Sequence, residues 1–217
     1  MRATLSTPMN SMSPSSRLRC RHNRKPKHTA SHMMRIGALR VDMTALSQLV
    51  HRCRPGCCGT AGCCSKYEVC INSAELSRIV GFLPSAARFC PHLKLPHGFD
   101  NIFEDLGGGI YALETDDDGL CLLAYKHRRS FKCSLHTVAE QCGLHPYQVK
   151  PHACVLWPLA LTSSRAKILT VDETAYNFPC STRQPINSPL CTSVIDTIEC
   201  LFGSATLRRL RYPTPAP

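Results

Sequence analysis

Apolar positions recur along this chain with two periods, and the longer one marks four helices. Met43, Leu46, Leu49 and Val50 predict a short helix that delivers the chain to Cys53. Asn72, followed three residues later by Glu75, is a capping box, and Leu76, Ile79, Val80 and Leu83 fall on one face of the helix it opens, which ends at Pro84. Ser134 is placed to cap a third helix, carrying Leu135, Val138, Ala139 and Cys142 and stopping at Gly143. Val194, Ile195, Ile198, Leu201 and Phe202 make the fourth, stopping at Gly203. The shorter period predicts strands. After a glycine turn at Gly107 to Gly109, residues 110–115 and 120–125 read as a hairpin around Asp116-Asp117-Asp118-Gly119, with Cys121 on its second strand. Residues 154–161 are strongly apolar around Trp157-Pro158, and residues 167–171 read as a further strand. No internal repeat is evident, so the pattern predicts one small α+β domain of short helices around a β-hairpin.

The flanks do not join that pattern. Residues 1–33 hold Arg, Lys, Ser, Pro and His with too few apolar residues to bury, and read as a basic disordered extension. A nucleic-acid arm and an organelle transit peptide share that composition; we favour an over-long start, with Met33 or Met34 as the first residue. Residues 34–212 form the expected domain and residues 213–217 a short disordered tail.

Charge adds less than its total implies. The 217 residues carry a formal +11, but residues 1–40 supply nine basic side chains and no acidic ones, whereas the rest supply seventeen basic and fifteen acidic. The body is therefore nearly neutral, which argues against nucleic acid as a partner. There is no signal-peptide core and no segment of membrane-spanning length, so neither export nor a membrane is expected.

Cysteine changes the picture most. The chain has 15, and five of them (Cys53, Cys57, Cys58, Cys63, Cys64) fall in the Gly- and Pro-rich stretch 53–64. Neighbouring thiols bridge one another only with strain, whereas short turns let several sulfurs converge on one ion. With an odd total, a disulfide framework would strand one thiol. A reducing, cytoplasmic compartment and a metal site follow as expectations. Thiolates are soft donors and suit zinc and iron-sulfur clusters alike, a [4Fe-4S] cluster being the favoured cluster type, and the choice between them stays open. The spacing is neither a zinc ribbon nor a ferredoxin run. The loop therefore calls for partners, and Cys121, Cys133 and Cys154 stand at element boundaries from which a side chain can be aimed at it.

These blocks carry a resemblance. Cys53-x3-Cys57-Cys58-x4-Cys63-Cys64, then Cys121, then Lys132-Cys133-Ser134-Leu135, then Lys150-Pro151-His152-Ala153-Cys154-Val155-Leu156-Trp157-Pro158-Leu159, resemble the YkgJ-like family of zinc- or iron-chelating cysteine-cluster proteins over about residues 50–182. The resemblance implies one metal or cluster site split between the early loop and the later segments, with Cys53, Cys57, Cys58, Cys63, Cys64, Cys121, Cys133 and Cys154 as its ligand set. It also implies bacterial-type cytoplasmic proteins, some linked to flagellin lysine methylation. This chain departs from the family in having two vicinal pairs rather than one, which leaves open which of Cys57, Cys58, Cys63 and Cys64 bind.

Three functions remain open: a metal- or cluster-binding domain, which we favour; an iron-sulfur enzyme, for instance in methyl transfer; and a zinc protein that binds nucleic acid through the basic arm. Catalytic signals are few. Gly107-Gly108-Gly109 lacks the Lys-Ser/Thr of a phosphate loop, no Gly-x-Ser-x-Gly elbow occurs, and no one Cys/His nucleophile pair stands out. Asp116 to Asp118 read as a solvated turn rather than a calcium loop. His51, His92, His136, His145 and His152 show no ligand spacing, His152 being the first to mutate. Cys142 and Cys200 read as core thiols, Cys180 as a spare ligand, Cys70, Cys90 and Cys191 as undecided, and Cys20 as part of the arm.

Overall fold

The computed structural model describes residues 32–53, 62–65, 68–162 and 167–211. The basic arm, the tail, and Cys20, Cys57 and Cys58 lie outside the described residues. The chain folds as α+β. It opens with β1 (Met33–Ile36) and β2 (Leu39–Asp42), antiparallel around Gly37 at φ +60°. Met33 pairs with Asp42, and the His32 N–H donates to Thr44 Oγ1 at 2.8 Å, so regular structure starts just ahead of the expected boundary. The Asp42 carboxylate then accepts the Ala45 N–H at 3.0 Å and opens α1 (Met43–Gln48), which buries Leu46. The expected helix ran on through Val50. Instead residues Leu49–His51 form β3, because they pair antiparallel with residues 181–183 far along the chain, and tertiary pairing outweighs a local period.

The middle of the chain builds the first core. β4 (Cys70–Asn72) leads into α2 (Ser73–Val80) through the predicted capping box: Asn72 Oδ1 accepts the Glu75 N–H at 3.0 Å, and Glu75 Oε2 accepts the Asn72 N–H at 3.4 Å. The helix stops at Val80, which is 47% exposed, and Leu83 belongs to a separate turn, α3 (Leu83–Ala86), with Pro84 in its first turn. Next come β5 (Phe103–Gly107) and β6 (Ile110–Leu113), hairpinned over the glycine run, with β6 also pairing to β4. Gly109 sits at φ +75°, and a Cβ there would meet Ser73 Oγ at 2.9 Å, so only glycine lets this turn close on the first residue of α2.

The predicted hairpin of residues 110–125 forms only next to its acidic turn, where the Leu122 N–H donates to the Glu114 carbonyl at 3.0 Å. The first strand pairs back to β5, and the acidic turn joins only a single bridge, Thr115 to Cys121. Asp116 Oδ1 closes that turn by accepting the Asp118 and Leu120 N–H groups, as a solvated turn should. The second hairpin lies one step on, β7 (Ala124–His127) with β8 (Ser130–Cys133), turning at Arg128 with φ +55°. α4 (Ser134–Gln141) follows, with Cys133 rather than Ser134 at its N-cap and Gly143 left-handed after its end.

α5 (His152–Leu156) and a cis Trp157–Pro158 peptide return the chain to the first sheet. β9 (Leu159–Thr162) pairs antiparallel with β10 (Ile168–Val171), the strand expected there, and β10 runs parallel to β2, giving the order β1-β2-β10-β9. β11 (Ser181–Arg183) is the partner of β3. The last element, α6 (Thr192–Arg211), breaks at Gly203 as predicted but resumes beyond it, burying Leu207 and Leu210.

Burial separates two apolar cores. Ile71, Ile79, Ile102, Leu123, Leu135 and Val138 centre one; Val41, Leu46, Leu49, Leu159, Leu169 and Ile198 centre the other. α5 bridges them, since Ala153 and Cys154 pack on the first and Leu156 and Trp157 on the second.

Glu75 holds that bridge. Its Oε1 also accepts the His152 N–H at 2.8 Å, so one carboxylate receives the first N–H of α5 as well as the cap of α2. Replacing Glu75 with Ala should cost about 2 kcal/mol in urea unfolding, against about 1 kcal/mol for Asn72→Ala, which frees the α2 cap alone. Equal losses would show that the contact to α5 carries no weight.

Candidate metal centre

Four separate segments bring cysteines to the edge of the first core. Cys63 and Cys64 form a single 3-10 turn, Cys63–Ser65, and both are half-buried. The Cys64 carbonyl accepts the Cys121 N–H at 2.8 Å, which ties the cysteine loop to the end of the acidic turn. Cys121 is three residues from Ala124, and Ala124 pairs with Cys133, so the β7–β8 hairpin returns Cys133 towards Cys121. The start of α4 is locked there by Ser134, fully buried, whose N–H and Oγ both donate to the Leu123 carbonyl at 2.9 and 2.8 Å. Cys154 arrives on α5, and α2 clamps the approach to it. Besides the Glu75 contact, the Arg78 guanidinium donates to the carbonyls of Tyr147 and Lys150, the latter at 3.2 Å.

The result is one cluster, recognisable by its electrostatics. Cys64 hydrogen-bonds to Cys63, which holds the Cys63 thiol down to about 6 against the penalty of burial, with Lys150 adding to the effect. Cys64 is pushed up, first as the donor in that bond, then by burial and by the charges of Cys63, Cys133 and Cys121. Burial raises Cys121, with Cys133 and Cys154 adding to it. Burial also pushes Cys154 up to about 12, while Lys150 pulls the other way. Lys150 itself is half-buried, and desolvation works against its charge, yet the surrounding Cys133, Cys154, Cys64 and Cys63 hold its pKa above the ordinary lysine value. Five of the eight predicted ligands thus share one electrostatic neighbourhood: Cys63, Cys64, Cys121, Cys133 and Cys154.

Cys53 is exposed, two residues beyond β3, and Cys57 and Cys58 lie outside the described residues. Among the described residues, no three His, Cys, Asp or Glu side chains stand in an arrangement that holds a metal ion. The donor chemistry fits a soft metal, because thiols from four segments share one neighbourhood.

Several assignments change. Cys142 is exposed rather than core, and Cys200 is half-buried with its Sγ 3.3 Å from His145 Nδ1. Cys180 lies beside the end of β3, its carbonyl accepting the Arg52 N–H at 2.8 Å, and so sits near Cys53 rather than with Cys121. Cys70 is disulfide-bonded, a departure from the all-thiol expectation. Cys90 is fully buried, donates to the Leu122 carbonyl at 3.0 Å, and feels the charge of Cys133. It belongs at the border of the cluster, which its apolar sequence neighbours did not reveal. Lys150 was visible only as part of the Lys-Pro-His-Ala-Cys segment, with nothing local to mark it as inward-facing.

The histidines take other work. His51 is buried against Ser181 Oγ at 2.9 Å and kept neutral by desolvation, His136 faces Glu140, and His152 serves through its backbone. His92 has a buried Nε2 with no hydrogen-bond partner, beside an acidic cleft lined by Asp100, Glu104, Glu114 and Asp116. Among the described residues, no helix is long and apolar enough to cross a membrane. No protein-family model, curated protein or solved structure matches this chain.

The thiol chemistry is open to test in the metal-free protein. Within the cluster, iodoacetamide should alkylate Cys63 first, at a rate that climbs as pH passes about 6 and levels off near neutrality, while Cys121 and Cys154 react only in alkali. Equal labelling of all three at neutral pH, read by peptide mass spectrometry, would contradict the Cys63 thiolate.

Proposed function

We propose that this chain is a cysteine-ligated metal protein, holding zinc or an iron-sulfur cluster in a site split between the early cysteine loop and three later segments. The observation that carries the reading is the convergence of Cys63 and Cys64 with Cys121, Cys133 and Cys154 from four places in the sequence. A core does not need that arrangement. Cys64, Cys121 and Cys154, half-buried thiols with raised pKa values, are poor packing and poor nucleophiles as protonated groups, but they become strong ligands once a metal displaces their protons.

The ligands are drawn from Cys63, Cys64, Cys121, Cys133 and Cys154, with Cys53, Cys57 and Cys58 available from the loop. When bound, zinc would act as a structural cross-link and a cluster as an electron carrier or cofactor anchor. The chain's own contribution is to hold donors from both sides. α2 fixes Cys154 through Glu75 and Arg78, Leu123 fixes the start of α4 through Ser134, and the Cys64 carbonyl fixes the loop to Cys121. The resemblance of the cysteine blocks to YkgJ-like proteins points to the same reading.

Protein purified without oxygen should contain stoichiometric zinc or iron, with a brown colour and sulfur-to-iron absorption if the centre is a cluster. Cys121→Ser, Cys133→Ser and Cys154→Ser should each lower metal content by tenfold or more, on the order expected when one of four ligands is lost, while Cys142→Ser leaves it unchanged. Metal-free wild-type protein, or equal content in all four variants, overturns the reading.

A further inference from the structure

We propose that Cys200 and His145 form a nucleophile and base pair at the rim of an apolar cavity, through which the chain accepts an apolar acyl group from an acyl thioester. The pair shares no side chain with the proposed metal centre. Cys200 Sγ lies 3.3 Å from His145 Nδ1, within hydrogen-bond reach for sulfur. The Tyr147 N–H also donates to that nitrogen, at 3.4 Å, so Nδ1 is the ring's lone-pair nitrogen and Nε2 carries the proton. The imidazole is therefore the acceptor and the Cys200 S–H the donor, the arrangement a general base requires. The base is held in place by its neighbours. Its own N–H donates to Gln148 Oε1 at 2.8 Å, and its ring packs on that of Tyr147 with centroids 5.0 Å apart.

Beside the thiol opens a cavity of about 420 Å³, inside the range of about 300–1,000 Å³ common to small-molecule sites. Leu156, Leu161, Leu201 and Phe202 line it together with Cys200, Tyr147 and His152. α5 gives this cavity a different face from the one it gives the metal centre: His152 and Leu156, one turn apart, line it, whereas Cys154 between them packs on the first core. Four apolar side chains next to one nucleophile select an apolar chain attached to an electrophilic carbon. With an acyl thioester the exchange needs no further reagent. As Cys200 Sγ attacks the carbonyl carbon, its proton passes to His145 Nδ1. The carbon's bond to its original sulfur then breaks, and His145 returns the proton to the departing thiolate. The products are S-acylated Cys200 and a free thiol, with no change in oxidation state. Burial alone works against this thiol by pushing its pKa up, so any advantage in reactivity must come from the base and the cavity. Cys142 supplies the contrast, being exposed, with no hydrogen bond to its sulfur among the described residues.

The full chain, purified without oxygen, is incubated with octanoyl- or acetyl-coenzyme A, and acylation of each cysteine is read by peptide mass spectrometry. At neutral pH octanoylation of Cys200 should outrun that of Cys142, and should exceed acetylation of Cys200 by about tenfold or more, because only the longer chain reaches into the cavity. His145→Ala and His145→Gln should each slow octanoylation of Cys200 by about 100-fold or more at neutral pH, the range typical for a lost general base, with the gap closing in alkali where the thiol ionises unaided. Tyr147 and His152, the other titratable side chains of the cavity, and Asp196 and Glu199 on α6 are the same in both variants. Two substitutions are used because His145 also caps the turn of residues 146–148. A purely structural role for His145 would lower the rate equally at every pH. Cys142 labelled as fast as Cys200, octanoyl and acetyl groups taken up alike, or a His145 defect that persists unchanged in alkali overturns the proposal.

Discussion

The Glu75 carboxylate is the contact on which the rest of this architecture depends. It closes the first turn of α2 and, with its other oxygen, the first turn of α5, whose first N–H lies 77 residues further along the chain than Glu75 itself. Each helix start presents N–H groups with no partner inside the helix, and a half-buried anion is the natural partner for them. Because α2 is packed into the first core through Ile79, whatever Glu75 holds inherits that rigidity. What it holds is the segment that carries Lys150 and Cys154. Arg78, one turn along the same helix, repeats the grip on the preceding carbonyls, so the position of the cysteine cluster follows from a helix that contributes no thiol to it.

Two modest cores with one bridge make the cluster a place of consequence. The first core is closed by short sheets of two and three strands, the second by a four-stranded sheet and the broken helix α6. Sheets this small bury little on their own. α5 is only five residues long, yet it packs Cys154 on one core and Leu156 on the other, and Trp157 stacks edge-on to Phe178 at 5.2 Å. A ligand bound at Cys154, Cys121 and Cys133 would therefore tie the bridge to the β7–β8 hairpin, and its binding energy would count towards the folded state.

Local chemistry was legible in the sequence and remote pairing was not. The capping box at Asn72 and Glu75 spans three residues and needs nothing else to be read. So does the left-handed stop at Gly143, and the Asp116 turn, whose hydrogen bonds all lie within five residues. Leu49 and Val50 continue a helical period perfectly well; only residues 181–183 turn them into a strand. The acidic turn advertised a hairpin, but strand pairing depends on which neighbour is free, and β5 and β4 had already taken both edges of β6. The cysteine loop's link to Cys121 was anticipated as a need for partners, while its form, a carbonyl-to-amide bond between Cys64 and Cys121, depends on chain geometry that composition does not carry. Lys150 stayed hidden for the same reason: lysine is read as surface unless something buried claims its charge.

Metal binding at the proposed site would be coupled to proton release. Burial holds Cys121 and Cys154 protonated, and Cys64 keeps its proton by donating to Cys63, so a metal must displace protons before it gains ligands. Weakly thiophilic ions such as magnesium or calcium cannot meet that cost, whereas zinc and iron can. Cys63 is the exception, its pKa lowered to about 6 chiefly by the hydrogen bond from Cys64, and at the proposed site it would offer an incoming ion its first foothold. The turn that carries it is a 3-10 turn whose Cys64 carbonyl accepts the Cys121 N–H, while Cys133 ends β8 at the start of α4 and Cys154 lies in α5. The selectivity of the proposed site would then reside in the thiols that have to surrender their protons.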